Sequence, residues 1–155
     1  MDDDVEAVER ELTRALQTWT VASTLTGAVA LVVGKRRGHP ALRAFGEQTV
    51  LWAVVDAAVL GAGAAVRARA SGPPPAERLR LLLTTNAVAD IGYVALGSAL
   101  AARPDRVLRR LRRRGRGRRT SEAELRAHGL AVVVQGLALL VLDARAARRL
   151  GPAPR

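Results

Sequence analysis

Charged and apolar side chains are sorted into separate blocks along this chain. Residues 15–34 contain no charged residue, residues 81–102 contain only Asp90, and residues 127–142 contain none apart from the titratable His128. A water-facing amphipathic helix places charges on its outer side every turn or two. These stretches do not, so they read as helices that face lipid. Four spans are predicted, at about residues 15–34, 48–66, 81–102 and 127–145, with Asp56 the one acid of the second. Each is close to the ~20 residues that cross a hydrocarbon core. The fourth has 16 uncharged residues, Ala127 to Leu142, and Asp143 and Arg145 extend it by snorkelling toward the interface.

The breaks between spans carry turn chemistry. Gly34-Lys35-Arg36-Arg37-Gly38-His39-Pro40 closes the first, and Ser71-Gly72-Pro73-Pro74-Pro75, which cannot be helical, follows the second. Arg103-Pro104 ends the third. Only helices and closed barrels satisfy their backbone inside lipid, and no stretch alternates like a barrel strand. The expected fold is all-α, a four-transmembrane-helix bundle forming a single membrane domain over residues 1–155.

Composition agrees once the positions are known. The net charge is +11, which taken alone suggests nucleic acid. Yet aromatics make up only 3% of the chain, too few for a base-stacking surface, and basic loops beside apolar spans are what membrane topology produces. Nucleic acid is therefore not the expected partner. The lipid bilayer is, with anionic headgroups attracted to the basic loop 103–126 and its 11 arginines. That loop, especially Arg109 to Arg119 with Gly115 and Gly117, reads as a low-complexity, solvated and mobile topology anchor. Cysteine is absent, which excludes disulfide and thiol chemistry. The acids that follow Met1 are unlike the basic start of a signal peptide, so the first span is expected to be retained.

The loops after spans one and three hold 15 of the 25 lysines and arginines. The positive-inside rule then puts those loops in the cytoplasm of a plasma-membrane protein, with both termini outside.

The polar residues inside the spans are the candidate chemistry. Asp56 and Asp90 each lie near the middle of a span, where a carboxylate costs at least ~2.5 kcal/mol unless protonated, paired or hydrated. Gln48, Trp52 and Asp56 share one face of the second helix, and Asn86, Asp90, Tyr93 and Gly97 one face of the third. Gln135 on the fourth and Ser23 or Thr24 on the first stand at the same depth. Three readings fit this layer: structural hydrogen bonding that fixes the bundle, a ligand-binding or proton-linked transport site, and an enzyme acting on a lipid or isoprenoid with an aspartic acid as general acid. No catalytic motif distinguishes the last.

Asp143, on the side of Arg67, Arg78 and Arg80, is expected in an interfacial ion pair. His39 and His128 stand alone, so neither a metal nor another cofactor is expected. The small residues Ala57, Gly61 and Ala65 form a ridge suited to close helix approach, within the bundle or in a homo-oligomer.

Two stretches carry a resemblance. Asn86-Ala87-Val88-Ala89-Asp90-Ile91-Gly92-Tyr93 with Gly97, and Gly129 with Gln135-Gly136-Leu137-Ala138-Leu139-Leu140-Val141-Leu142-Asp143, resemble the third- and fourth-helix motifs of an uncharacterised bacterial family of small four-helix membrane proteins. The stretch Trp52 to Gly63 is similar to its second helix, where the family has asparagine in place of Asp56; Ala127 stands where it has glycine. The resemblance covers about residues 12–150 and implies the architecture without an activity.

Overall fold

The computed structural model describes residues 2–70, 72–113 and 120–151. Five helices account for nearly all of them: α1 (Asp2–Arg36), α2 (Pro40–Arg69), α3 (Ala76–Ala102), α4 (Pro104–Arg113) and α5 (Glu122–Arg149). No strand occurs among the described residues. Four of the helices, α1, α2, α3 and α5, are long and apolar enough to cross a membrane. The shortest of these, α3, has 27 residues and so measures about 40 Å at 1.5 Å per residue. All four overrun the predicted spans, because the charged residues that end an apolar run do not end a helix.

Local chemistry sets the boundaries. Gly38, at φ +62°, makes the turn after α1, and the His39 side chain caps α2 by accepting the Leu42 amide at Nδ1, 3.2 Å away. Pro40 then occupies the first turn, where its missing N–H costs nothing. At α5, Ser121 and Glu124 form a capping box: Oγ of Ser121 accepts the Glu124 amide at 3.2 Å, and Glu124 Oε2 accepts the Ser121 amide at 2.8 Å.

The basic loop is more ordered than its composition predicts. Pro104–Arg113 is helical, with Pro104 and Leu108 buried and Arg106, Arg109, Arg110, Arg112 and Arg113 exposed. Val107, Leu108 and Leu111 recur on one side, and that side lies toward α3 and α5. Asp105 pairs with Arg109 one turn on, at 2.6 Å, and this hydrogen bond holds the Asp105 carboxyl below the usual carboxylate range. The rest of the predicted low-complexity segment, residues 114–119, lies outside the described residues.

Helices α1 and α2 form one antiparallel hairpin and α3 and α5 the other, with α5 also packed on α2 and, less extensively, on α1. Both hairpins close on small residues. A Cβ built on Gly46 would lie 2.4 Å from the Leu31 backbone nitrogen, and one on Gly34 2.4 Å from that of Arg43. Ala44, Ala53, Ala131 and Gly129 are buried as well, and a Cβ on Gly129 would lie 2.6 Å from the Gly97 carbonyl oxygen of α3. The large apolar side chains point the other way. Val21, Leu25, Val29, Leu51, Val54, Val59, Leu81, Val88, Ile91, Leu96 and Leu130 are exposed, forming a belt around the middle of the bundle.

Near the chain termini the arrangement is that of a water-soluble core, with Val5 and Val8 of α1 packed on Leu79 and Leu83 of α3 and Ala146 of α5. The described ion pairs that cross between helices lie at the two ends. Arg43 reaches Glu124 at 3.0 Å where the basic loops gather, and Arg67–Glu9 (3.6 Å) and Arg149–Glu11 close the terminal end.

Candidate functional site

The polar residues of the spans fall into two groups on opposite sides of α5. The first lies between α2, α3 and α5. Trp52 and Asp56 stand one turn apart on α2, and Asn86, Asp90 and Tyr93 succeed one another on one side of α3. Asp56 and Asp90 are each 4% exposed. Their carboxyl groups are close enough for the charge of one to act on the other. Oδ2 of each has no hydrogen-bond partner, nor does Nε1 of Trp52.

The aromatic members join the two helices. The rings of Trp52 and Tyr93 meet edge to face, centroids 5.0 Å apart and planes at 73°. Helices α2 and α3 run in opposite directions, so this pair sits on the basic-loop side of the two acids. Asn86 lies on the terminal side, where it comes within side-chain hydrogen-bonding reach of Asp143. The order along the bundle is therefore an aromatic pair, two buried acids, then an amide and a third acid. The backbone of α5 comes close enough for a Cβ on Gly136 to lie 3.3 Å from the Asp90 carbonyl oxygen. A glycine at that point lets α5 lie directly against α3 beside the acid.

The second group faces α1. Gln135 is 1% exposed and accepts a 2.6 Å hydrogen bond from Trp19 Nε1 at Oε1. Beside it are buried Ser23 and Thr49, and the side chains of Trp19, Ser23, Thr49 and Gln135 help to line a recess of about 80 Å³. Ser23 Oγ and Gln135 Nε2 have no partner there. Thr49 bonds the Phe45 carbonyl of its own helix at 2.8 Å.

The structure thus divides the single polar layer expected from sequence. It unites Asp56, Asp90, Asn86, Trp52 and Tyr93, and turns Gln135 away toward α1. Ser23, not Thr24, is the inward residue of α1; Thr24 is exposed and bonds the Thr20 carbonyl. Gln48 is half-buried one turn before Trp52, and its side chain makes no hydrogen bond among the described residues. Asp143 belongs with Asn86 rather than with arginine. None of the described ion pairs includes it, and Arg67 is engaged by Glu9 and the Gly72 carbonyl.

Trp19 is the member that sequence reasoning missed. Its signal was present in the spacing Trp19–Ser23, which repeats Trp52–Asp56 on the neighbouring helix. The ridge Ala57, Gly61 and Ala65 is exposed, and a Cβ on Gly61 would meet nothing within 4 Å. Among the described residues nothing packs against that ridge at Gly61. Among the described residues no group of three or more His, Cys, Asp or Glu is arranged to hold a metal ion.

Both polar groups lie within the stretch that ties this chain to others. The chain belongs to a family of unknown function, DUF6992, whose model matches residues 15–144. The match starts inside α1 and runs one residue past Asp143, so it includes Trp19, Asp56, Asp90 and Gln135. No curated protein and no solved structure matches the chain.

Proposed function

We propose that this chain is a multi-pass membrane protein in which α1, α2, α3 and α5 cross the bilayer, and that Asp56 and Asp90 form an intramembrane site that binds and releases a proton. The crossing is supported by the exposed belt of large apolar side chains. Exposed apolar patches on soluble monomers rarely exceed a few hundred Å², whereas this belt occurs on all four long helices. Hydrocarbon is the solvent that suits it.

The carboxyl site is carried by one observation. Oδ2 of Asp56 and of Asp90 is buried without a partner among the described residues. Residues that only glue helices together satisfy each other's hydrogen bonds, because an unmet polar group in hydrocarbon costs several kcal/mol, a typical magnitude for such groups. Carboxyl oxygens left open need a proton, a cation or water, and intramembrane acids of this kind mark proton and substrate paths. Asn86 and Asp143 extend the polar line from Asp90 toward the terminal end, while Trp52 and Tyr93 close the other side. A binding or transport protein accounts for this line of acids better than an enzyme does.

Orientation and lipid contacts follow from charge. The basic end, with Lys35, Arg36, Arg37, Arg43 and the exposed arginines of α4, faces the cytoplasm and both termini lie outside. Helix α4 lies in the headgroup region, its arginines on anionic lipid.

A hydrophobic carbodiimide tests the site, because it modifies protonated carboxyl groups in apolar surroundings. The full-length protein in detergent should be modified at Asp56 or Asp90, faster at lower pH, as read by peptide mass mapping. Absence of modification at both positions across the accessible pH range refutes the proton site.

A further inference from the structure

We infer that the ligand which exchanges with protons at Asp56 and Asp90 is a lipophilic organic cation, seated beside Trp52 and Tyr93 and admitted from the bilayer through the seam between α2 and α3. The inference rests on the proton-binding reading above and names its counter-ligand.

The first ground is the pairing of negative charge with π faces. Trp52 lies one turn from Asp56, and Tyr93 three residues from Asp90, so the two rings in contact at 5.0 Å border the two acids. Aromatic faces attract cations most strongly when water is excluded, and Trp is the best of them. Nε1 of Trp52 has no partner, so no hydrogen bond pins the indole in place.

The second ground is what the site lacks for a small metal ion. Calcium takes six to eight oxygen ligands and magnesium demands a near-ideal octahedron, as these ions generally do. Among the described residues no group of three or more His, Cys, Asp or Glu is arranged to hold such an ion. A quaternary ammonium or phosphonium ion spreads its charge over an apolar surface, so one or two carboxylates and a π face suffice.

The third ground is access. Helices α2 and α3 belong to different hairpins, α2 packed mainly on α1 and α3 mainly on α5, with the Trp52–Tyr93 contact spanning the seam between them. Tyr93 is 40% exposed on the face that carries the apolar belt. A cation soluble in lipid would meet that ring first and the acids next.

Competition with protons follows from the groups around the pair. From α3, Asp90 faces Asp56 and Tyr93 faces Trp52, and Asp143 approaches Asp90 from α5. The α1 stretch at this depth, residues 15–34, has no titratable group. No lysine, arginine or histidine among the described ion pairs reaches the acids, since those pairs lie at the helix ends. Ionised carboxyls therefore call for a cation from outside, and protonation removes that demand.

The experiment uses tetraphenylphosphonium with the full-length protein in detergent. Saturable binding should release protons to the buffer, weaken as pH falls, and protect Asp56 and Asp90 from the carbodiimide. Trp52→Leu should weaken binding about tenfold, whereas Trp52→Phe, which keeps a ring, should stay within about threefold. Melting temperatures of the variants exclude misfolding as the cause. Carbodiimide modification without tetraphenylphosphonium binding or protection overturns the cation while leaving the proton site intact. Equal binding by the Asp56→Asn, Asp90→Asn double variant also overturns it, because the probe would then be adsorbed on the apolar belt. Failure of both reagents removes the inference together with the reading beneath it.

Discussion

Gly97 of α3 and Gly129 of α5 meet backbone to backbone. A Cβ on Gly97 would lie 2.8 Å from the Gly129 carbonyl oxygen, and one on Gly129 2.6 Å from the Gly97 carbonyl oxygen. The contact is reciprocal and rigid on both sides, so neither helix can make room without moving as a whole. Gly129→Ala and Gly97→Ala should each destabilise the bundle by about 1–3 kcal/mol, the usual range for overpacking. Gly92→Ala meets nothing within 4 Å and should be neutral or stabilising by up to about 1 kcal/mol. Reversible unfolding in mixed micelles compares the three, and equal effects at Gly92 and Gly129 would contradict the contact.

The bond from Trp19 to Gln135 ties the first hairpin to α5 at mid-depth. Double-mutant cycles in membrane bundles average about 0.6 kcal/mol for such bonds, with a maximum near 1.7. The cycle formed by Trp19→Phe and Gln135→Leu should return a coupling within that range. Coupling near zero would mean that the two side chains stabilise the fold independently.

Glu124 has two tasks, closing the capping box of α5 and pairing with Arg43 at the start of α2. Glu124→Ala should therefore cost more stability than Arg43→Ala. Loss of a cap is worth roughly 0.5–2 kcal/mol, whereas half-exposed Arg43 contributes an ion pair worth at most about 1 kcal/mol. Raising salt should shrink the Arg43→Ala penalty and leave most of the Glu124→Ala penalty in place. Thermal melts of the two variants at low and high salt decide the ranking.

The absence of cysteine makes topology accessible to single labels. Cysteines placed one at a time at Gly72 and Thr120 should react from opposite sides of intact cells, Thr120 from the cytoplasm. Reaction of both from one side would rule out four crossings. Reaction from opposite sides with the two exchanged would reverse the orientation alone.

Helix α4 exposes five arginines and buries Leu108 against the bundle. The reconstituted protein should enrich anionic over zwitterionic lipid in its immediate shell, and replacing Arg109, Arg110, Arg112 and Arg113 by glutamine should abolish that preference. Salt should weaken it, since the Debye length is only about 10 Å at 0.1 M. Co-purified lipid, quantified by mass spectrometry, is the readout. Unchanged enrichment in the variant would place the lipid site elsewhere.

The four apolar runs, their breaks, and the positions of Asp56, Asp90 and Gln135 along them could all be read from the chain. Each is a local property. An apolar run and the place of a polar residue within it require no knowledge of its neighbours. Rotation of each helix about its own axis was not legible. In a helix whose packed and exposed sides are both apolar, no stripe marks the packed side, so α2 and α3 show almost no amphipathic preference. Tertiary contacts decided it instead, through the close approaches of Gly46, Gly97 and Gly129. Those contacts turn Gln135 toward Trp19 and Asp143 toward Asn86, and leave Ala57 and Gly61 on the outside. Helix α4 was hidden for a related reason: its arginines dominate its composition, and only burial of Leu108 against the other helices gives its apolar side a partner. The sequence by itself determined which segments are apolar and where along them their polar residues fall. Packing of small residues against backbone determined which of those residues meet.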